Sequence, residues 1–271
     1  MTLMRVIDTG LRSARWNIAM TAALAELHRA GRIPDTVHFH RYPASLLVGR
    51  RQSLGRVVRL DRARRANVEI ARRSIGDDAA CRGPGQLALH IVAERGRFGS
   101  NLGRIVELLC AGVADGLSRL GLPARVRPGA EVEIAGCKVA DASCDIAGTT
   151  VVFQAAVLID VDEANMPGAL LRSKPGEGGA RAAAGAGASA GLSKYLGRVP
   201  ASEEIVDVLM AGLSHRLRRT LVKLPAGEED IALAQRLFSD EIGSDVFVED
   251  GDLDPVTAPV EPRPASWALW S

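Results

Sequence analysis

The chain has 271 residues, and 47% of them are apolar, which suits a folded core and excludes a disordered segment. Its 34 basic and 32 acidic residues nearly cancel to +2, so bulk charge gives no argument for nucleic acid or membrane as a partner. Four cysteines without a Cys-x-x-Cys pair argue against a disulfide framework or a thiolate zinc site; with no signal peptide and no membrane-length apolar run, a reducing, cytoplasmic setting is expected.

In chain order, residues 15–30 are expected to form a helix capped by Asn17, with Ile18, Ala22, Leu24 and Leu27 on its apolar face. Short strands follow at 37–40 and 45–48, around the Tyr42-Pro43 break. His38 and His40 alternate on one strand face, which suits a metal, but no third ligand stands beside them; they are read as packing histidines, and no metal site is expected. A run of arginines from Arg50 to Arg73 is read first as a solvated face, and second as a patch for an anionic ligand or an acidic carrier protein. It holds a short basic helix at 61–66 and leads into a strand at 68–71, a polar loop at 74–85 and a strand at 87–92.

The clearest helix is 102–120, where Ile105, Leu109, Val113 and Leu117 repeat at the helical period. Compact strands at 124–127, 131–135, 138–144 and 150–160 predict hairpins, and a short helix is expected at 163–172. Residues 175–191 read as a flexible Gly/Ala loop. Helices at 202–221, capped by Ser202, and at 228–238 complete a single domain over residues 1–248. Residues 249–271 read as an acidic, then proline-rich tail. The expected class is α+β: a mixed, largely antiparallel sheet with packed helices.

Five segments, in order, resemble the catalytic domain of the lipoate–protein ligase and octanoyltransferase family. They are Trp16-Asn17-Ile18-Ala19-Met20; Val48-Gly49-Arg50-Arg51-Gln52; Arg72-Arg73-Ser74-Ile75-Gly76 with Gly83-Pro84-Gly85-Gln86-Leu87; Ile134-Ala135-Gly136-Cys137-Lys138; and Val157-Leu158-Ile159-Asp160-Val161-Asp162. The resemblance covers roughly residues 10–248 and implies a biotin/lipoate protein ligase-like fold. It implies an acyltransferase that joins a lipoyl- or octanoyl-type acid to the lysine of a small acyl-carrier domain through an acyl-adenylate, using ATP and Mg2+. A separate accessory subunit is a further implied partner.

On that resemblance Lys138 is the catalytic cation, facing a phosphate and a carbonyl oxygen that gains charge. Arg50, Arg72, Arg73, Gly76, Gly83, Gly85 and Gln86 would shape the acyl and nucleotide pocket, with glycine letting the backbone approach phosphate. The chain departs from the family pattern at Asp77 and Asp78 in the glycine triplet, at Asp141 after the lysine, and at Gln154 where the family has histidine. Each acid next to phosphate would cost on the order of a few kcal/mol. Four outcomes stay open: lost ATP binding, a cation bridging Asp77, Asp78 and Asp141, another ligand, or acids paired with Arg73 or Arg82.

An octanoyltransferase would need a cysteine nucleophile. The two places the family keeps one hold Pro128-Gly129-Ala130 and residues 166–172, without cysteine. Cys144 is the best remaining thiol. The alternatives to the ligase are therefore an octanoyltransferase, a non-adenylating member that binds a ligand or partner without catalysis, and metal-assisted chemistry in the same pocket.

Overall fold

The structure is a computed structural model and describes residues 3–74, 76, 78–160, 170–171 and 189–249. Its strands are β1 (Leu3–Leu11), β2 (Thr36–Arg41), β3 (Ser45–Val48), β4 (Glu69–Arg72), β5 (Ala80–Arg82), β6 (Gln86–Glu94), β7 (Arg125–Arg127), β8 (Glu131–Ile134), β9 (Cys137–Ala147), β10 (Thr150–Leu158) and β11 (Thr220–Lys223). The helices are α1 (Ala14–Arg29), α2 (Leu54–Val57), α3 (Leu60–Arg65), α4 (Leu102–Ser118), α5 (Leu192–Leu196), α6 (Ser202–Leu217), α7 (Glu228–Leu237) and α8 (Asp245–Glu249).

Eight strands form one sheet in the order β11-β1-β2-β6-β10-β9-β8-β7, and β4-β3-β5 form a small second sheet. β1 runs parallel to both β2 and β11; the remaining pairs of the large sheet are antiparallel. This is the expected mixed, largely antiparallel α+β architecture.

Both faces of the large sheet are covered, and β6 shows why. Leu87, Leu89 and Ile91 point to one core, while Ala88 and Val92 point to the other. The first core takes Ile105, Leu109, Val113 and Leu117 of α4, Ile205, Leu209 and Leu213 of α6, and the sheet residues Phe39 and Phe153. Each such fully buried side chain contributes about 2 kcal/mol. The α4–α6 crossing is tight, because a Cβ on Gly212 would lie 2.2 Å from the main-chain nitrogen of Gly116. The second core takes Ile18, Leu24 and Leu27 of α1 with Leu233 and Leu237 of α7.

Some local expectations change. α1 is capped by Ser13, whose hydroxyl accepts from the Trp16 N–H at 3.2 Å. Asn17 is buried inside the helix and donates to the Arg12 and Arg41 carbonyls at 3.1 and 2.9 Å. Ser202 is the first residue of α6, whose cap position is Ala201. α6 stops at Leu217, because Arg218 turns left-handed at φ 54, and the next residues leave as β11. The loop expected at 74–85 contains β5. The expectations for 163–172, 175–191 and 249–271 fall almost wholly outside the described residues. No helix among the described residues is long and apolar enough to cross a membrane.

Candidate functional site

Directly opposed residues on neighbouring strands share a face of the sheet. His38 on β2 opposes His90 on β6, His90 opposes Gln154 on β10, and Gln154 opposes Ser143 on β9. The adjacent row runs His40, Ala88, Ala156, Asp141 and Glu131. Both rows lie on the α1 side, since Leu89, Phe153 and Val157 fill the opposite core. A polar band thus crosses a sheet whose flanking positions are apolar.

The small sheet brings two guanidinium groups to this band. Arg73 follows β4, and its N–H donates to the Val48 carbonyl at 2.9 Å. Its Nη2 donates to Ser143 Oγ at 3.0 Å and to Gln154 Oε1 at 3.2 Å, and its Nη1 to the Asp78 carbonyl at 3.1 Å. Gly76 crosses this guanidinium at φ 96, and a Cβ there would lie 2.5 Å from Nη2. Burial and then Arg82 lower the Arg73 pKa, while Tyr42, Asp141 and Asp78 oppose the shift. Arginine remains a cation nonetheless. Arg82 on β5 donates to Asp141 Oδ1 at 3.0 Å.

Lys138 enters from the β8–β9 hairpin. Its ammonium lies 3.4 Å from Glu131 Oε1, and its side chain is only 18% exposed. Its carbonyl accepts from the Ala190 N–H at 2.9 Å, which anchors the strand locally. Glu131 opposes Asp141, so Lys138 reaches the same face as the Arg82–Asp141 pair. Two ion pairs therefore stand side by side across β9 and β8.

The other expected residues divide. Arg50 ties the Gly49 turn to the loop through its main-chain N–H, which donates to the Gly76 carbonyl at 3.0 Å. Arg72 does not line the pocket: it is buried and its guanidinium donates to the carbonyls of Gly49, Arg50, Gln52, Phe247 and Val248. It is a clamp joining β4, the Gly49 turn and α8. Gly83 accepts from the Gln86 N–H at 3.1 Å. Gly85 is required by close approach, since a Cβ would lie 1.9 Å from the Asp160 carbonyl oxygen. Gln86 is buried at the start of β6, on the alternation that includes Ala88 and His90.

Cys144 does not reach this face. It opposes Phe153 and packs on the α4–α6 core, the face away from Arg73. Burial first, then Asp145 and Cys110, push its thiol up to about 12, so it is not a thiolate. Cys110 lies in the same core, and Cys81 packs on the outer side of the small sheet. Cys137 opens β9 beside Tyr195. Of the four outcomes left open for the acids, the pairing with Arg82 is the one seen for Asp141; Asp77 lies outside the described residues.

His90 was missed from sequence. It stands fifty positions beyond His40 and joins the His38–His40 pair only through strand register. The ring centroids of His40 and His90 are 4.5 Å apart, and those of His38 and His40 are 4.4 Å apart. Burial above all lowers the pKa of the three rings; Arg5 adds to this at His38, and at His40 and His90 the neighbouring rings do so first and the arginines after them. Tyr42 sits beside His40 with its hydroxyl pushed up to about 12 by burial.

Three cations thus reach one face of the sheet, each held by a partner: Arg73 by Ser143 and Gln154, Arg82 by Asp141 and Lys138 by Glu131. Comparison with known proteins identifies the family. Residues 13–214 match the family model of the lipoyl protein ligase A/B catalytic domain. The chain is 25% identical to octanoyltransferase LipM of Symbiobacterium thermophilum over 272 residues, which span 89% of this chain and 96% of that protein. Among solved structures it resembles one of a bipartite lipoate protein ligase and its E2 lipoyl domain from Thermoplasma acidophilum. The TM-score is 0.78 and the identity 20%, over 95% of this chain and 100% of that one. It also resembles lipoate–protein ligase A bound with ATP, at TM-score 0.76 and 19% identity over 93% and 99% of the two chains. At these identities the two structures establish a shared fold.

Proposed function

Because the chain belongs to the lipoyl protein ligase A/B catalytic-domain family, we propose that it transfers a lipoyl- or octanoyl-type acyl group to a lysine of a small carrier domain, by way of an acyl-adenylate. The observation that carries the adenylate route is the position of the thiols. Cys144 and Cys110 lie in the opposite core, Cys81 faces away, and Cys137 sits beside Tyr195. The lack of a thiol against Arg73 and Gln154 favours a route in which the acyl group is activated without a thioester to the enzyme. A mixed anhydride with AMP fits, and ATP with Mg2+ is then a substrate.

In this reading Arg73 and Lys138 face the phosphate and the acyl carbonyl oxygen, and Gln154 and Ser143 fix the Arg73 fork. Pairing with Arg82 offsets the repulsion that Asp141 would otherwise exert on phosphate. The carrier is a lipoyl-type domain, as for the Thermoplasma acidophilum ligase, and a separate accessory subunit is a second partner. The free cysteines fit a cytoplasmic setting.

ATP–pyrophosphate exchange with octanoate or lipoate tests the route. Exchange that needs the acid, and that disappears in Lys138→Ala, supports it. The likeness to an octanoyltransferase favours a second reading, direct transfer from one acyl carrier to another. Transfer from an octanoyl-carrier without ATP, and no pyrophosphate exchange, would establish that reading instead. Neither exchange nor transfer would identify a binding protein that has lost catalysis.

A further inference from the structure

The band on the α1 side contains three histidines whose ring nitrogens converge. Candidate ligand atoms of His38, His40 and His90 all lie within 4.8 Å of one another, and all three residues are buried. Among the described residues this is the one group of three or more His, Cys, Asp or Glu side chains with such spacing. His38 and His90 are directly opposed, and His40 follows two residues later on the same face.

The nitrogens are chemically poised. His38 Nδ1 and both ring nitrogens of His40 are buried without a hydrogen-bond partner. Each buried unpaired polar atom costs roughly 1–3 kcal/mol, so the cluster calls for a ligand. The tautomer of His90 follows from its neighbour. The Thr21 hydroxyl donates to the Asn17 carbonyl at 3.0 Å, so it must accept from His90 Nδ1 at 2.6 Å. That leaves the lone pair on His90 Nε2. His38 Nε2 meets the Thr9 hydroxyl at 2.8 Å, which leaves its Nδ1 to coordinate. Metal-bound imidazoles characteristically have their second nitrogen held in this way.

We propose that His38, His40 and His90 bind one divalent transition ion of the zinc type through three imidazole nitrogens, with the fourth position open to water or an anion. Three nitrogen donors and an open tetrahedral position suit zinc, cobalt or copper, and exclude magnesium and calcium, which require oxygen. Among the described residues no Asp or Glu joins the three nitrogens. Arg5 acts on His38, Arg82 on His40, and Arg73 and Arg82 on His90, so an anion completes the coordination better than water.

The test uses the full-length, untagged protein, stripped with chelator and desalted. Equilibrium dialysis against Zn2+ or Co2+, read by elemental analysis, is expected to give one ion per chain. Bound Co2+ should show the intense visible bands of a tetrahedral site. His40→Phe and His90→Gln are each expected to lower affinity at least tenfold, and Thr21→Val, which only frees the His90 ring, by about 10–100-fold. Circular dichroism checks that each variant is folded, and Thr21→Val carries the comparison if a histidine variant is not. Wild-type protein that binds no ion would overturn the inference, as would folded variants that bind as tightly as wild type.

Discussion

Arg82 donates to Asp141 at 3.0 Å across the space between the small sheet and β9. The acid that departs from the family pattern is thereby half of an ion pair with its carboxylate only 34% exposed. Alone it would repel phosphate; pairing with Arg82 offsets that repulsion. The departure and its compensation lie on different strands.

Replacing Lys138 with alanine is expected to lower the rate of carrier acylation by about a hundredfold to a thousandfold, the loss typical of a transition-state donor. Single-turnover transfer to a lipoyl-type carrier measures this. An unchanged rate would remove Lys138 from the chemistry.

A variant with all four cysteines replaced by alanine or serine is expected to keep its acyltransfer activity, and iodoacetamide should not inactivate the wild type. Loss of activity on Cys144→Ala alone, with the fold intact, would restore a thioester route.

Arg72→Ala is expected to destabilise the protein by about 3 kcal/mol, because it leaves several buried carbonyls without their donor. Arg72→Lys should recover little, since an ammonium cannot reproduce the fork. Urea unfolding gives the number.

Acid should weaken the metal-free fold well above the carboxylate range. Burial lowers the pKa of His38 to about 3, and those of His40 and His90 well below the usual value. As pH falls through about 6.5, the unfolded chain binds protons that the folded chain refuses, so stability drops. Over the span from about pH 7.5 to 5.5 each histidine costs about 1.4 kcal/mol, so three give a loss of roughly 4 kcal/mol. Unfolding in chelator at several pH values checks the slope, which should shrink by about a third in His40→Phe.

Gly212→Ala is expected to cost about 1–3 kcal/mol by forcing α4 and α6 apart, since its Cβ would meet backbone. A thermal melt measures it.

Much of this was legible where local signals dominate. α4 and the β9–β10 hairpin carry their periods in plain residues, whereas Lys138 is singled out only by the resemblance of its Gly136-Cys137-Lys138 turn to the family. What escaped depends on partners far away. Leu213, Leu217 and Leu221 continue a helical repeat, yet Arg218 takes a left-handed conformation that no glycine announces. β1 is covered on both faces, so its burial pattern lacks a clean alternation. Arg72 and Arg73 are neighbours, but strand alternation sends one into a clamp and the other into the site. His90 joined the other histidines only once register was known.

β1 has a consequence for synthesis. Its outer partner, β11, begins at Thr220, so the ribosome makes two hundred further residues before that edge can zip. Meanwhile the nascent amino-terminal ribbon offers unpaired amides to any passing strand. A translation stalled before residue 220 would release a polypeptide with this edge bare, prone to aggregate or to be held by a chaperone.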